Sequence, residues 1–123
     1  MKRVVSFMFG VFFLSVVVAS AQTQATGASR FAWDQPNLSA AEAQLLTYNL
    51  RVDGSTTPVV LSNVSCLDVA GVTVCGCPIP AFTPGNHTST VSAQNVAGES
   101  LPSNVLTFQF IIVPNAPVNF RLL

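Results

Sequence analysis

The pattern of apolar and polar residues divides the chain into one continuous apolar segment and a longer region of short alternating segments. Residues 4–18 are an apolar run without a charged residue. After residue 21, apolar and polar positions alternate over short stretches that Gly, Pro and Asn separate. Alternation with a period of two is typical of strands with one buried face. The pattern therefore predicts an all-β domain that follows a separate apolar segment.

The alternating segments and the turn signals between them predict the elements of this domain. Strands are predicted at residues 31–33, 46–52, 59–61, 72–75, 90–94 and 106–112. Asp53-Gly54 is a strong turn signal, and Ser39 with Glu42 has the form of a capping box, which predicts a helical turn over residues 39–45. Several short strands at this spacing are typical of a sandwich or barrel. The predicted core contains Phe31, Trp33, Tyr48, Leu50, Val91, Leu106, Phe108 and Phe110.

The N-terminal segment has the three parts of a secretory signal peptide. The basic pair Lys2-Arg3 precedes the apolar run, and Ala19 and Ala21 are the small residues that signal peptidase accepts. A membrane-spanning helix is the alternative, but it needs about 20 apolar residues, more than this run contains. We therefore predict a signal peptide at residues 1–21 and cleavage before Gln22. The protein is then secreted, periplasmic or at the cell surface, with no membrane insertion after cleavage.

Charge limits the partners of the region that follows. Residues 22–123 contain no lysine and have a net charge of −2, from three arginines and five carboxylates. The charged residues are Arg30, Arg51, Arg121, Asp34, Glu42, Asp53, Asp68 and Glu99. A basic surface that neutralises phosphates is absent, so nucleic acid is not an expected partner. About 100 residues are enough for one domain with a single core.

Residues 82–103 resemble the E–F corner, F strand and F–G loop of a fibronectin type III domain. The matching features, in chain order, are Pro84-Gly85, Ala93-Gln94-Asn95, Gly98-Glu99-Ser100 and Pro102-Ser103. Residues 31–36 resemble the B strand of that family with its core tryptophan, and residues 48–52 resemble the C strand. The resemblance extends over residues 29–113. It implies an immunoglobulin-like antiparallel β-sandwich.

The chain departs from this family at the corner and at both ends of the domain. His87 stands where the family usually has a tyrosine, and a short polar segment at residues 22–28 leaves the first strand short or absent. Residues 114–123 resemble the linker and first strand of a further domain. A missing first strand exposes a sheet edge, which such a segment could fill within the molecule or in a neighbour. A tail that docks in its own molecule or stays unpaired is the simpler expectation.

The three cysteines lie close together in the sequence. If Ala70-Gly71 is a two-residue hairpin turn, Cys66 and Cys75 form a non-hydrogen-bonded pair with Cα atoms about 4.5 Å apart, a separation that a disulfide tolerates. A three-residue loop would shift the register, and Cys77 would then compete. Under the favoured pairing Cys77 is a free thiol, either buried or available for an intermolecular link. Zinc coordination by these cysteines and His87 is a weaker alternative, because the spacing matches no standard site.

The sequence contains no catalytic constellation. His87 is the only histidine, and at the corner we expect it to hydrogen-bond nearby backbone. Nucleophile motifs, closely paired carboxylates and phosphate-binding loops are absent from the sequence. We therefore predict a non-enzymatic protein without a cofactor or a metal.

Two functions fit these observations. The first is binding or adhesion to a protein or glycan through the loop that contains Asn95, Gly98, Glu99 and Ser100, an expectation that depends on the fold alone. The second is a structural subunit that self-associates through its C-terminal strand or through Cys77.

Overall fold

A computed structural model describes residues 23–123, so the signal peptide predicted at residues 1–21 lies outside the described residues. Most of the regular structure in this part of the chain is β-strand. The strands are β1 (Gln24–Ala25), β2 (Arg30–Asp34), β3 (Thr47–Val52), β4 (Val59–Val60), β5 (Ser65–Val69), β6 (Val72–Pro78), β7 (Gly85–Asn95), β8 (Gly98–Glu99) and β9 (Leu106–Phe110). A short helix, α1 (Ala40–Gln44), lies between β2 and β3.

The strands form two hydrogen-bonded sheets, and the all-β prediction is confirmed. The larger sheet has the order β1-β9-β7-β3-β4, with β8 also paired to β7, and the smaller sheet has the order β2-β6-β5. Neighbouring strands are antiparallel except for β1 and β9, which are parallel. Side chains of the two sheets contact each other. The ring centroid of Trp33 lies 4.9 Å from that of Tyr48, and that of Phe31 lies 6.0 Å from that of Phe108.

Two predicted turns are present, and their backbone angles explain their residues. Asp53-Gly54 has φ values of 53° and 73°, and Ala70-Gly71 has φ values of 51° and 84°. Two consecutive positive φ values characterise the two-residue turn whose twist matches that of flanking antiparallel strands. The second turn joins β5 directly to β6, and the resulting register places Cys66 opposite Cys75.

Helix α1 begins at the predicted capping box. The Ser39 hydroxyl accepts a hydrogen bond from the Glu42 amide (3.2 Å), and the Glu42 carboxylate accepts one from the Ser39 amide (3.4 Å). The Gln44 side chain then ties the helix to β5. Its amide nitrogen donates to the Val64 carbonyl, and its oxygen accepts from the Cys66 amide. The predicted helical turn is therefore present, and it packs against the smaller sheet.

Most of the predicted core residues are buried, and one is not. The buried ones are Phe31, Tyr48, Leu50, Phe108 and Phe110, while Trp33 and Val91 are partly buried. The prediction for Leu106 was wrong, because this residue is 40% exposed. Alternation places Leu106 on the same face of β9 as Phe108, which is 1% exposed. Among the described residues, however, β1 pairs with the other end of β9 and does not reach Leu106.

Several strands differ in length from the prediction. β7 has 11 residues, whereas the strand predicted at residues 90–94 has five. It is longer because β3 pairs with it on one side and β8 and β9 pair with it on the other. β9 ends at Phe110 rather than at residue 112, and residues 111–123 contain no helix or strand. The first strand is short, as expected. It lies inside the polar segment predicted at residues 22–28, and its Ala25 is buried.

Candidate binding surface

The chain reverses direction after β7 in a tight turn. Asn95 pairs with Gly98, so Val96 and Ala97 form the turn itself. The Asn95 side-chain oxygen accepts a hydrogen bond from the Ala97 amide (2.8 Å), a bond by which asparagine commonly stabilises turns. Gly98 has a φ of 138°, which residues with a side chain rarely adopt. The Val96 side chain is left fully exposed.

Two serines hold the following segment against β7. The Ser100 hydroxyl accepts a hydrogen bond from the Ala93 amide, and the Ser103 hydroxyl accepts one from the Val91 amide, each at 3.0 Å. The serine amides donate in turn to the carbonyls of Ala93 and Val91, at 2.7 and 2.8 Å. Because each hydroxyl replaces a backbone carbonyl, the segment between the serines interrupts the sheet. Leu101, within that segment, is 90% exposed.

Glu99 lies at the centre of a polar cluster on the outer face of the larger sheet. Arg51 forms an ion pair with it, and the Ser92 hydroxyl donates a hydrogen bond to it (2.8 Å). The side-chain amide of Asn49 donates to Glu99 (3.3 Å) and to the Gln94 side chain (2.9 Å). The Arg51 guanidinium, followed by the Ser92 hydroxyl, holds the pKa of Glu99 below its ordinary value. The Glu99 carboxylate therefore forms its ion pair and hydrogen bonds with groups of the protein itself.

The structure brings the predicted binding residues together, but their polar groups support the loop itself. These residues are Asn95, Gly98, Glu99 and Ser100. The large apolar side chains that the loop exposes are Val96 and Leu101, which the sequence analysis did not select. In the sequence, both are apolar residues among turn-forming residues, where polar side chains are usual. That exception is the signal by which they could have been selected.

A groove of about 390 Å³ opens beside this loop. One wall consists of Gln35, Leu38 and Leu46, and the other consists of residues 93–95 and 97–100. Leu38 and Leu46 also pack against the core, so the groove reaches from the loop surface to buried apolar side chains. A combination of apolar walls with a few polar groups is typical of sites that take up part of a ligand or partner.

His87 joins the start of β7 to two other segments. Its Nδ1 lies 2.8 Å from a carboxylate oxygen of Asp53, and its Nε2 lies 2.7 Å from the Thr83 carbonyl oxygen. Both partners are acceptors, so both ring nitrogens donate only when the imidazole is protonated. The Thr83 carbonyl, followed by Asp53, raises the pKa of His87, and the Thr88 amide, followed by His87, lowers the pKa of Asp53. The predicted backbone contact is confirmed, and both nitrogens are engaged in structural bonds.

The cysteines have separate roles. Cys66 and Cys75 form the predicted disulfide, with their Cα atoms 4.0 Å apart. Cys77 is a free thiol that is fully buried, and burial raises its pKa. An intermolecular link through Cys77 would therefore require the domain to open. Within residues 23–123, no group of three or more His, Cys, Asp or Glu side chains is placed to hold a metal ion.

Comparisons with known protein families, with curated proteins and with solved structures found no match for this chain. In the part of the chain that the structure describes, no helix is long and apolar enough to span a bilayer.

Proposed function

We propose that this chain is a secreted, non-enzymatic binding module with a fibronectin type III-like β-sandwich. The strand orders β4-β3-β7-β9 and β2-β6-β5 support this proposal, because they correspond to the two sheets of an immunoglobulin-like sandwich. The hydrogen bond from His87 to the carbonyl four residues earlier also supports it. That bond takes the place of the one that a corner tyrosine makes to upstream backbone in this class of fold.

Export is supported by two independent features. The Cys66–Cys75 disulfide is of a kind that persists in oxidising compartments. The basic, apolar and small-residue parts of residues 1–21 have the order that a signal peptide requires. On this proposal the protein acts as a secreted, periplasmic or cell-surface component.

The observation that carries the binding proposal is an ordered loop that exposes apolar side chains. Val96 and Leu101 are exposed, while the hydrogen bonds of Asn95, Ser100 and Ser103 fix the backbone that carries them. A loop that is ordered before binding loses little conformational entropy when a partner docks. Exposed aliphatic side chains gain free energy by leaving water for an apolar surface. These properties favour a protein partner.

A glycan partner is less well supported by the same loop. Sugar recognition depends on hydrogen bonds to hydroxyl groups, and the side chains of Glu99 and Ser100 already bond within the protein. The proposed partner is therefore a protein with an apolar surface that receives Val96 and Leu101.

The test compares the wild-type chain with the double variant Val96→Ser/Leu101→Ser. Immobilised full chain is used to capture surface or secreted proteins from the producing cells, and the captured protein is purified and titrated directly. We expect the double variant to bind it at least about tenfold more weakly, the loss typical of removing central apolar contacts. The matched control is Leu67→Ser, which changes a 66% exposed side chain on β5 in the other sheet.

Three results would contradict the proposal. The first is equal loss of affinity in the control, and the second is no loss in the double variant. The third is binding to a glycan array that the double variant abolishes, which would replace the protein partner by a carbohydrate.

A further inference from the structure

The outer edge of β2 is open within residues 23–123. β2 pairs with β6 on one side, and no described strand pairs with the other. The Gln35 amide donates to the Thr73 carbonyl, so Gln35 directs its backbone groups towards β6. Along an antiparallel pair, every second residue does the same. Backbone groups of Arg30, Ala32 and Asp34 therefore point away from β6. An open edge of this kind is a template for a further strand.

A groove lies under this edge. Two cavities, of about 410 and 420 Å³, separate β2 from residues 100–106, and Trp33, Val91 and Ser103 line both of them. Leu106 lines the second cavity and is 40% exposed although it lies on the core face of β9. The Trp33 indole nitrogen, beside these cavities, is buried without a hydrogen-bond partner among the described residues. Leu106 is thus left partly uncovered along this side.

The C-terminal segment has the pattern of a strand without a partner. Val118, Phe120 and Leu122 are 80%, 102% and 98% exposed, and they alternate with Asn119 and Arg121. This alternation is typical of a strand with one buried face. Residues 118–123, when extended, span about 20 Å, and five-residue β2 spans about 17 Å. The segment is therefore long enough to cover the open edge.

The direction of the chain favours docking of the tail on a second copy over docking within the same molecule. β9 ends at Phe110, which pairs with Ala25, the last residue of β1, and β2 begins five residues after Ala25. The tail therefore leaves the domain at the end where β2 begins. A strand antiparallel to β2 must enter from the opposite end, near Asp34. Docking in the same molecule would require the chain to reverse for a parallel pairing, whereas Pro114 and Pro117 favour an extended backbone.

We propose that residues 118–123 of one copy add as an antiparallel strand to the open β2 edge of a second copy. Val118, Phe120 and Leu122 then fill the groove beside Trp33 and Leu106. Because donor and acceptor surfaces differ, the contact repeats from copy to copy and builds an open chain. Of the two exposed apolar residues of the binding loop, Val96 lines neither cavity of this groove.

The test measures the mass of the full chain in solution over a wide concentration range. We expect wild type to show multiples of the monomer mass that grow with concentration and persist in reductant. Phe120→Asp changes a fully exposed residue and should give monomers. Asn119→Asp is the matched control, since it adds the same charge on the opposite face of the tail and should still assemble. Circular dichroism checks that each variant is folded.

A mixing experiment tests the direction of the contact. Ala32→Pro removes an outward-pointing amide of β2 without removing a bond to β6, so this variant keeps its tail but loses its edge. Phe120→Asp keeps its edge but loses its tail. Each variant alone should be monomeric, and the mixture should form a one-to-one dimer.

Several outcomes would overturn the proposal. They are a wild type that is monomeric at every concentration, assembly that survives Phe120→Asp, assembly that reductant dissolves, or a mixture that stays monomeric. Val96→Ser changes a residue that lines neither cavity, so this variant should assemble like wild type while it weakens binding at the loop, and failure of the loop proposal and failure of this one are distinguishable.

Discussion

At the residue scale, His87 connects three segments: the start of β7, the residues before it, and the turn after β3. It bonds to the Thr83 carbonyl before β7 and to Asp53 in the turn after β3. Asp53 also accepts the Thr88 amide (2.9 Å), so its two carboxylate oxygens hold two consecutive residues of β7. The Phe82 ring packs 5.2 Å from the imidazole. A single histidine therefore fixes the corner between the two sheets.

This geometry predicts a pH dependence of stability. Because the pKa of His87 is raised above 6.5 in the folded state, its contribution is complete below pH 6.5 and is lost as the pH rises through the folded-state pKa. The pKa of Asp53 is lowered below 3.8, so its contribution is present above pH 3.8 and is lost as the pH falls through the folded-state pKa. The pair should therefore contribute most between pH 3.8 and 6.5.

Urea unfolding at a series of pH values checks this prediction. The free energy of unfolding of wild type should fall above pH 6.5, and His87→Gln should lack that fall. The variant is needed as the reference because the α-amino group also titrates near pH 8. Identical pH profiles for the two proteins would show that His87 makes no pH-dependent contribution.

At the element scale, the β5–β6 hairpin combines a local turn with a covalent link. The Ala70-Gly71 turn sets the register, and the disulfide joins Cys66 to Cys75 nine residues later. Helix α1 packs on the hairpin and is tied to it by Gln44. The disulfide therefore stabilises the smaller sheet together with the helix.

Removal of the disulfide should lower stability measurably. For a closed loop of this length, Cys66→Ala/Cys75→Ala is expected to reduce the free energy of unfolding by about 2–3 kcal/mol, mainly through the entropy of the unfolded chain. Denaturant unfolding with and without reductant measures the effect. Cys77→Ala is the control, since it removes a buried sulfur but no crosslink, and reductant should still destabilise it. Equal stability of wild type in the two conditions would contradict the prediction.

At the scale of the whole molecule, the two sheets share a core that is closed at one end and open along one side. β1 pairs with β9 at the closed end, and its Ala25 is buried. Along the open side, Leu106 and the edge of β2 are uncovered by the described residues. The same side carries the groove into which the tail of another copy is proposed to dock.

The processing of the N-terminus also belongs to the whole molecule. We expect the exported protein to begin at Gln22, as measured by intact mass and N-terminal sequencing. Ala19→Leu/Ala21→Leu should block cleavage, because signal peptidase requires small residues at these two positions. Ser20→Leu changes the position between them and should be cleaved normally. An exported wild-type protein that keeps residues 1–21 would contradict the signal-peptide prediction.

The sequence by itself determined the local elements. Ala70-Gly71 specified a two-residue turn, and counting back from it paired Cys66 with Cys75. Ser39 and Glu42 specified the start of α1. These predictions succeeded because each depends on backbone angles and hydrogen bonds between residues that are near in the chain. The alternation of apolar residues likewise identified most strands, since the pleat repeats every two residues.

The tertiary structure alone decided which distant residues meet. Asp53 and His87 lie 34 positions apart, and Arg51 and Glu99 lie 48 apart, so local patterns carry no signal for either pair. The same is true of Leu106, whose alternation predicted burial although no described element covers it. The candidate loop was located from the sequence, but which of its polar side chains are engaged within the protein depended on the bonds that these groups make to the larger sheet. Such bonds depend on how strands are paired, which becomes defined only when the sheets form.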